Sequence, residues 1–453
     1  MIKEEFILDV ASRVPAYSDF LKSNALCVEQ GFESLKITNK KNYLLQYPIE
    51  QLCWDGNIKA AHIFGASSGF SKSGTIFWPK RPQDEANYLE AVEASLVKNY
   101  AIDKKSTLVI ICLAFGSWIG GMQIASNMRQ LASLAKYDFS VATPGLNLKE
   151  AVEIYKRFSS VYDQALFITN PSNINLISAI MKDQDILKAD GSVYFPVVGE
   201  YFSEQERKKV ATTFGHDESS PFCVWTGYGS ADTGDLGIES EATIKLRKFF
   251  DKNPHLTQEF FNSDEAPMIF VTSSNAYIEI IDGDIVVTKD QLIPLVRYNT
   301  LDNGGLLQKE RLETIVAKDL YDALPQSMLY VFGRASDAII FYGTNLMVSD
   351  IKKFLLTLDE SFKYGGLFEV KELHDNEITT FEFKIFTTCD EDKQLSQKYY
   401  SSLLKFLKSS SLEFDAKYDT LSSSVKQNLI IVKTDNIQNI STKVKHHYIV
   451  KES

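Results

Sequence analysis

A chain of 453 residues is longer than one hydrophobic core usually serves, so at least two folded units are expected. Hydrophobic residues at 44% and charged residues at 24% make a globular mixture and exclude a disordered or fibrous chain. The formal charge of -11 argues against a nucleic-acid partner, whose phosphates need a basic face.

The elements follow in chain order. Residues 1–60 read as polar and helical, closing at Trp54, Asp55, Gly56 and Asn57. Met1 is followed by Lys3, Glu4 and Glu5, so no apolar leader is expected. A loop rich in Ser and Gly spans residues 65–75, and strand-like and helix-like segments then alternate. Residues 84–99 carry acids early and Lys98 late, which suits a helix macrodipole. Residues 107–114 predict a buried strand, and 121–135 are apolar on one helical face. Residues 165–169 predict a strand closed by Asn170 and Pro171, with Ser172 as the expected cap of the next helix. Strand, helix and strand recur at 193–198, 203–214 and 221–226. This alternation predicts an α/β fold with a mostly parallel sheet, whose ligand loops lie beyond the carboxyl ends of the strands.

Past about residue 265 the pattern changes. Short strands at 268–272, 276–281, 284–288 and 328–332, with turns such as Asp282-Gly283, predict an antiparallel subdomain. From about 334 a helix (349–358), two strands (367–373, 379–387), a helix (394–407) and a strand (429–433) predict a compact α+β lid. The expected domains are therefore 1–333 and 334–453. No run of about 18 apolar residues occurs, so no membrane span is expected. Cys27, Cys53, Cys112, Cys223 and Cys389 are odd in number and show no CxxC spacing, which predicts reduced thiols and a cytoplasmic protein. The six histidines form no ligand spacing.

Five short segments carry chemistry. In the first, Ser67, Ser68, Gly69, Ser71, Lys72, Gly74 and Thr75 offer small residues, hydroxyls and a charge. Backbone N–H groups of such a loop can approach phosphate oxygens closely, although a Ser/Gly loop alone is more often a surface turn. In the second, Tyr228 stands between Gly227 and Gly229, followed by Ser230 and Asp232. The aromatic can stack on a purine, and the carboxylate can hold a magnesium ion that bridges phosphates, or else cap a turn. The third is Tyr298-Asn299-Thr300-Leu301-Asp302, and the fourth Gly333-Arg334-Ala335-Ser336-Asp337. A carboxylate can accept two ribose hydroxyls and an arginine can donate to sugar or phosphate; either can also serve in a surface ion pair. The fifth is Ser441-Thr442-Lys443-Val444-Lys445, a solvated basic tail or a lysine on a mobile lid.

In this order and spacing the five segments resemble the core motifs of the acyl- and aryl-adenylating superfamily, and in particular its phenylacetate–coenzyme A ligase branch, including relatives encoded near capsule polysaccharide genes. Val14-Pro15-Ala16-Tyr17, Ile37 through Tyr43, Ala114-Phe115-Gly116, Pro171-Ser172 and Gly199-Glu200 join the likeness, which covers nearly the whole chain. The resemblance implies a large adenylating domain, a small mobile lid, and ATP, Mg2+ and coenzyme A as reactants and cofactor. It implies a small-molecule carboxylic acid as partner and allows a homodimer.

Residue by residue, the likeness puts the ATP phosphates at 67–75, adenine beside Tyr228, the metal on Asp232, the ribose on Asp302 with support from Arg334, and the catalytic lysine at Lys443, with Lys445 as rival. Phe115, Gly116, Trp118, Ile119 and Trp225 would line the acyl pocket, or simply belong to the core. The chain departs from the family at Phe70 and the displaced Lys72-Ser73-Gly74, at Asp232 in place of glutamate, at the third motif, which lacks Arg and Gly, and at Thr442 before the lysine. The thiol acceptor, an amine acceptor, a carrier-protein thiol and a non-catalytic binding protein all stay open at this stage.

Overall fold

A computed structural model describes residues 4–66, 76–117, 119–217, 220–263, 265–333, 338–341, 344–375, 378–410, 418, 426, 429–440, 446 and 448–450. The phosphate-loop segment 67–75, Trp118, Arg334 through Asp337, Gly343 and the terminal segment with Lys443 and Lys445 lie outside the described residues.

The chain opens with α1 (Glu4–Arg13), α2 (Pro15–Ser23) and α3 (Ile49–Leu52), joined by short 3-10 and π turns. A hairpin of β1 (Ile63–Ala66) and β2 (Phe77–Lys80) follows, then α4 (Pro82–Tyr100), β3 (Thr107–Cys112), α5 (Ile119–Ser133), β4 (Phe139–Ala142) and α6 (Leu148–Phe158). Next come β5 (Gln164–Thr169), α7 (Pro171–Asp183), β6 (Val193–Val197), α8 (Glu204–Thr213), β7 (Val224–Ser230) and β8 (Gly234–Ile238). After α9 (Glu241–Asp251) and α10 (Pro254–Phe261) the chain forms β9 (Met268–Thr272), β10 (Ala276–Ile281), β11 (Asp284–Lys289), β12 (Leu295–Gln308), α11 (Lys318–Ala323) and β13 (Ser327–Gly333).

Strands β3 to β13 make one 11-stranded sheet in the order β10-β11-β12-β13-β9-β8-β7-β6-β5-β3-β4. The pairs from β4 to β7 are parallel. The pairs from β7 to β10 are antiparallel. The antiparallel strands expected as a subdomain are thus continuous with the parallel ones, and β7 is the seam. Strand β3 shows why its sequence lacks alternation: Leu108, Ile110 and Cys112 pack with α6 and α7, while Val109, Ile111 and Leu113 pack with α4 and α5. A strand covered on both faces is apolar at every position.

The N-terminal helices share a core with Leu295, Val296 and Tyr298 at the start of β12. Ser172 does not cap α7 as expected. Asn170 stands at the cap position, and Ser172, inside the first turn, donates its N–H and hydroxyl to Glu200 at 3.1 and 3.0 Å.

Beyond the sheet, β14 (Ala338–Phe341) and β15 (Thr344–Met347) form a hairpin leading into α12 (Val348–Thr357). Then β16 (Tyr364–Asp375), β17 (Ile378–Thr387), α13 (Lys393–Ser410), β18 (Ile430–Asn436) and β19 (Ile449–Val450) build a four-stranded sheet in the order β18-β17-β16-β19. This unit has its own core, from Ile351 and Leu355 through Phe383 to Tyr399 and Leu403. Leu367, Phe386 and Ile437 pack into the large core instead, and Lys352 pairs with Glu206 of α8 at 2.7 Å.

Candidate active site

The site is built at the β7 seam. Strand β7 does not end at residue 226 as the sequence suggested. It continues through Gly227, Tyr228, Gly229 and Ser230, which pair with β8, so the second motif is strand rather than loop. Gly229 must be glycine, because a Cβ there would meet the Gly234 carbonyl oxygen at 2.2 Å. The turn that follows holds Asp232, with Ser230 Oγ 3.1 Å from Thr233 Oγ1.

The third motif lies on β12, in a distorted stretch. Arg297 and Leu301 adopt positive φ of 45° and 63°, and the pairing with β11 and β13 shifts register around them. Left-handed backbone at non-glycine residues stores strain and is held by its surroundings. Here the supports are visible: Leu301 N donates to Asn299 Oδ1 at 2.7 Å and Thr300 Oγ1 to the Ile285 carbonyl at 2.9 Å.

Two hydrogen bonds clasp these motifs together. Tyr228 donates its hydroxyl to Asp302 Oδ2 at 2.8 Å, and Tyr298 donates to Asp232 Oδ2 at 2.5 Å. Each motif thus supplies one phenol and one carboxylate, exchanged crosswise. Both carboxylates are largely buried, at 6% exposure for Asp232 and 9% for Asp302. The Asp232 carbonyl also accepts Gln291 Nε2 at 2.7 Å. The Tyr228 ring lies against Phe270 with centroids 5.7 Å apart.

The root of the 67–75 segment belongs to the same region. Ala66 N donates to the Ser117 carbonyl at 2.6 Å, which ties the end of β1 to the turn after β3. Gly65 packs so tightly under α5 that a Cβ would meet the Ile119 side chain at 2.6 Å. In that turn Gly116 takes φ +87°, and the half-buried Phe115 ring lies where a Cβ on Gly145 would meet it at 3.2 Å. Phe115 and Trp225 both pack against the α4–α5 core. Trp225 donates Nε1 to the Glu239 carbonyl at 2.8 Å. Ile119 packs with the N-terminal cluster rather than beside Trp225.

Sequence reasoning missed what fixes β7 from below. Arg207 donates to Glu204 Oε1 at 3.0 Å, to Glu239 Oε1 at 2.5 Å and to the carbonyl of Val224 on β7. Arg247 lies 3.3 Å from Glu204 Oε1, and Glu239 Oε2 accepts the Thr226 N–H at 3.1 Å. All four charged side chains are at most 4% exposed. Burial acts to lower the Arg207 pKa, but Glu204 and Glu239 hold it above its ordinary value, so the guanidinium stays charged. Glu204 and Arg207 at i,i+3 look like a surface pair in the sequence, and nothing there marks Glu239.

Crevices elsewhere are lined by none of the candidate residues. One is lined by Ile174, Phe202, Val210 and Leu356, the other by Leu148, Leu176, Ile180 and Ile440. Among the described residues no helix is long and apolar enough to cross a membrane.

With this geometry in view, the fold matches that of solved acid-CoA ligase and acyl acid amido synthetase structures. The chain is similar to 2-hydroxyisobutyryl-CoA ligase in the postadenylation state in complex with 2-HIB-AMP, at TM-score 0.66 and 12% identity over 99% of this chain and 88% of that one. It is also similar to GH3.15 acyl acid amido synthetase, at TM-score 0.56 and 9% identity over 98% and 90% of the two chains. The same synthetase in complex with 2,4-DB gives a TM-score of 0.54 at 10% identity, over 86% of this chain and 78% of that one. No family profile matches the chain, and no curated protein does.

Proposed function

We propose that this protein activates a carboxylic acid as an acyl-adenylate and transfers the acyl group to a thiol, with coenzyme A as the acceptor. The observation that carries the reading is the crosswise clasp between Tyr228 and Asp302 and between Tyr298 and Asp232. It joins in one cluster, on a matching fold, the side chains to which the likeness assigns adenine, ribose and metal.

The substrate carboxylate attacks the α-phosphorus of ATP, forming the acyl–phosphate bond and releasing pyrophosphate. A thiol then adds to the acyl carbon and AMP leaves, the thiol proton passing to solvent. Asp302 would accept the ribose hydroxyls, and Tyr228 would wall the adenine. The 67–75 segment would donate its amides to the phosphates, and Arg334 would add to the sugar side. Lys443, or its neighbour Lys445, would face the transferring phosphoryl group, and preorganised charge of this kind is worth most in a dry site. Phe115, Gly116 and Trp225 would border the acyl chain. The unit 334–453 would act as the lid over 1–333, turning between the two half-reactions.

Asp232 fits a magnesium site of the substrate-completed kind. Its Oδ1 has no hydrogen-bond partner among the described residues, and no cluster of three or more His, Cys, Asp or Glu suited to a metal occurs among them. Magnesium commonly takes one or two carboxylates and fills its remaining positions with phosphate oxygens and water. Bound there, it would supply positive charge to the developing pyrophosphate.

An amine acceptor is the second reading, supported by the likeness to an acyl acid amido synthetase over 98% of this chain. The test is pyrophosphate release from Mg-ATP across a panel of carboxylic acids, with wild type and Lys443→Ala. Acid-dependent release that collapses in the variant is expected. AMP release that then requires coenzyme A, rather than an amine, identifies the thiol acceptor. Failure of the protein to bind ATP or AMP at all would sink the reading.

A further inference from the structure

Lys40 meets this site from the N-terminal region, where neither the clasp nor the motifs give it a role. The segment before it is stitched to β12. Thr38 N donates to the Arg297 carbonyl at 2.9 Å, Asn299 N to the Thr38 carbonyl at 2.8 Å, and Thr38 Oγ1 to the Val296 carbonyl at 2.9 Å. Arg297 Nη1 reaches back to the carbonyls of Glu33 and Leu35 at 2.6 and 2.7 Å. Asn39 then caps the short π turn Lys40–Leu44 by accepting the N–H groups of Lys41 and Asn42. These bonds hold the backbone of Thr38, two residues before Lys40, in register with Tyr298.

From that anchor the Lys40 ammonium lies 3.0 Å from Asp232 Oδ2, the oxygen that also accepts Tyr298. The Asp232 side chain is 9% exposed and that of Lys40 is 36% exposed. The anion is therefore fixed and buried, while its partner is a flexible stem with three donors and access to solvent.

We propose that Lys40 is the resident counter-cation of Asp232: it disfavours a divalent ion before nucleotide binds, and turns to a phosphate oxygen when nucleotide arrives, which leaves Asp232 to the metal that a triphosphate brings. The inference rests on the adenylating reading. A single carboxylate already neutralised by an ammonium is a poor ligand for a bare dication, which would have to displace Lys40 and still lack most of its oxygen shell. A nucleotide triphosphate changes both terms. It supplies the missing metal ligands, and it offers the displaced ammonium a new anion within the reach of its four-carbon stem. Lys40 would then count among the phosphate-facing cations, in a chain whose phosphate loop departs from the family at Phe70 and Lys72.

The test uses Mn2+ as the probe ion, followed by its electron paramagnetic resonance without nucleotide, together with metal-free AMP binding by calorimetry. The proteins are wild type, Lys40→Met, Lys40→Arg and Lys40→Met/Asp232→Asn. Expected are weak Mn2+ uptake by wild type and at least about tenfold tighter uptake by Lys40→Met, a ratio equivalent to about 1.4 kcal/mol. The gain should be lost in the double variant, and Lys40→Arg should behave as wild type. Metal-free AMP should bind Lys40→Met at least about tenfold more weakly. Equal Mn2+ uptake by wild type and Lys40→Met, or a gain that persists without Asp232, would overturn the proposal, as would unchanged AMP affinity. Circular dichroism separates these results from misfolding. Absence of AMP binding by wild type would instead strike the adenylating reading, while the Mn2+ comparison would still report on the Lys40–Asp232 pair.

Discussion

Arg207→Met is the perturbation whose cost the structure fixes best. The four buried side chains Glu204, Arg207, Glu239 and Arg247 carry two charges of each sign. The substitution keeps much of the volume but leaves two carboxylates facing one guanidinium. It also removes the donors to Glu204, Glu239 and the Val224 carbonyl. Breaking a buried ion pair from one side costs about 3–5 kcal/mol, and the orphaned carbonyl adds about 1–3 kcal/mol. The apolar methionine returns about 1–2 kcal/mol. The net loss is therefore on the order of 2–7 kcal/mol, centred on about 4 kcal/mol. Urea unfolding followed by tryptophan fluorescence suits the case, because Trp225 donates to the Glu239 carbonyl. Arg207→Met/Glu204→Gln restores charge parity and should regain at least about 1 kcal/mol. A single variant within about 1 kcal/mol of wild type, or a double variant less stable than the single one, would refute the charge-balance argument.

Three further outcomes follow. Asp302→Ala should weaken AMP binding about tenfold or more by calorimetry, since a charge-assisted hydrogen bond is worth about 1.5–3 kcal/mol; unchanged affinity would remove Asp302 from the ribose. Lys80 and Lys289 are 7% and 6% exposed, and burial holds both ammonium groups below the usual lysine range. The folded chain thus binds these protons less tightly than the unfolded chain, so stability should rise with pH towards the unfolded lysine value of about 10.4. Lys80→Met should flatten that rise in unfolding midpoints, and an unaltered slope would contradict it. Cys27 is exposed, whereas Cys53, Cys112 and Cys223 are buried, with burial raising their thiol pKa and that of Cys53 to about 11. A thiol reagent on the native protein should therefore modify Cys27 and spare these three until urea is added, as read by mass spectrometry of peptides.

Much of the fold was legible because its signals are local. The apolar run 107–112, the acid-to-base gradient along α4 and the Asp282-Gly283 turn each announce an element within a few residues. What stayed hidden depends on distant partners. Ser172 looked like a cap because Asn170 and Pro171 precede it, yet its hydroxyl is taken by Glu200, 28 positions away. Strand β7 looked finished at Thr226 because Gly-Tyr-Gly reads as a turn, and only pairing with β8 keeps it extended. The ordered motifs pointed to Tyr228, Asp232 and Asp302 together, but not to the crosswise exchange of phenols that joins them. Lys40 carried no signal of its own beyond a place in the N-terminal likeness.

The clasp also says something about the sheet. Strands β8, β9 and β13 lie between β7 and β12 in the hydrogen-bonded order. Four interstrand steps in a flat sheet span about 19 Å, well beyond what a tyrosine and an aspartate can bridge end to end. Yet Tyr228 reaches Asp302 at 2.8 Å and Asp232 reaches Tyr298 at 2.5 Å. The antiparallel half must therefore curl back over the β7 seam. Its curvature has identifiable sources in the register shifts of β12 against β11 and β13 and in the left-handed residues Arg297 and Leu301, since bulges bend the strand that carries them and increase its twist. The distortion of the third motif is in this view the bend that brings two distant parts of one sheet together. A parallel strand delivers its carboxyl end to the ligand edge, and the curl returns β12 to that same edge, so that Tyr228 of β7 and Asp302 of β12 can meet.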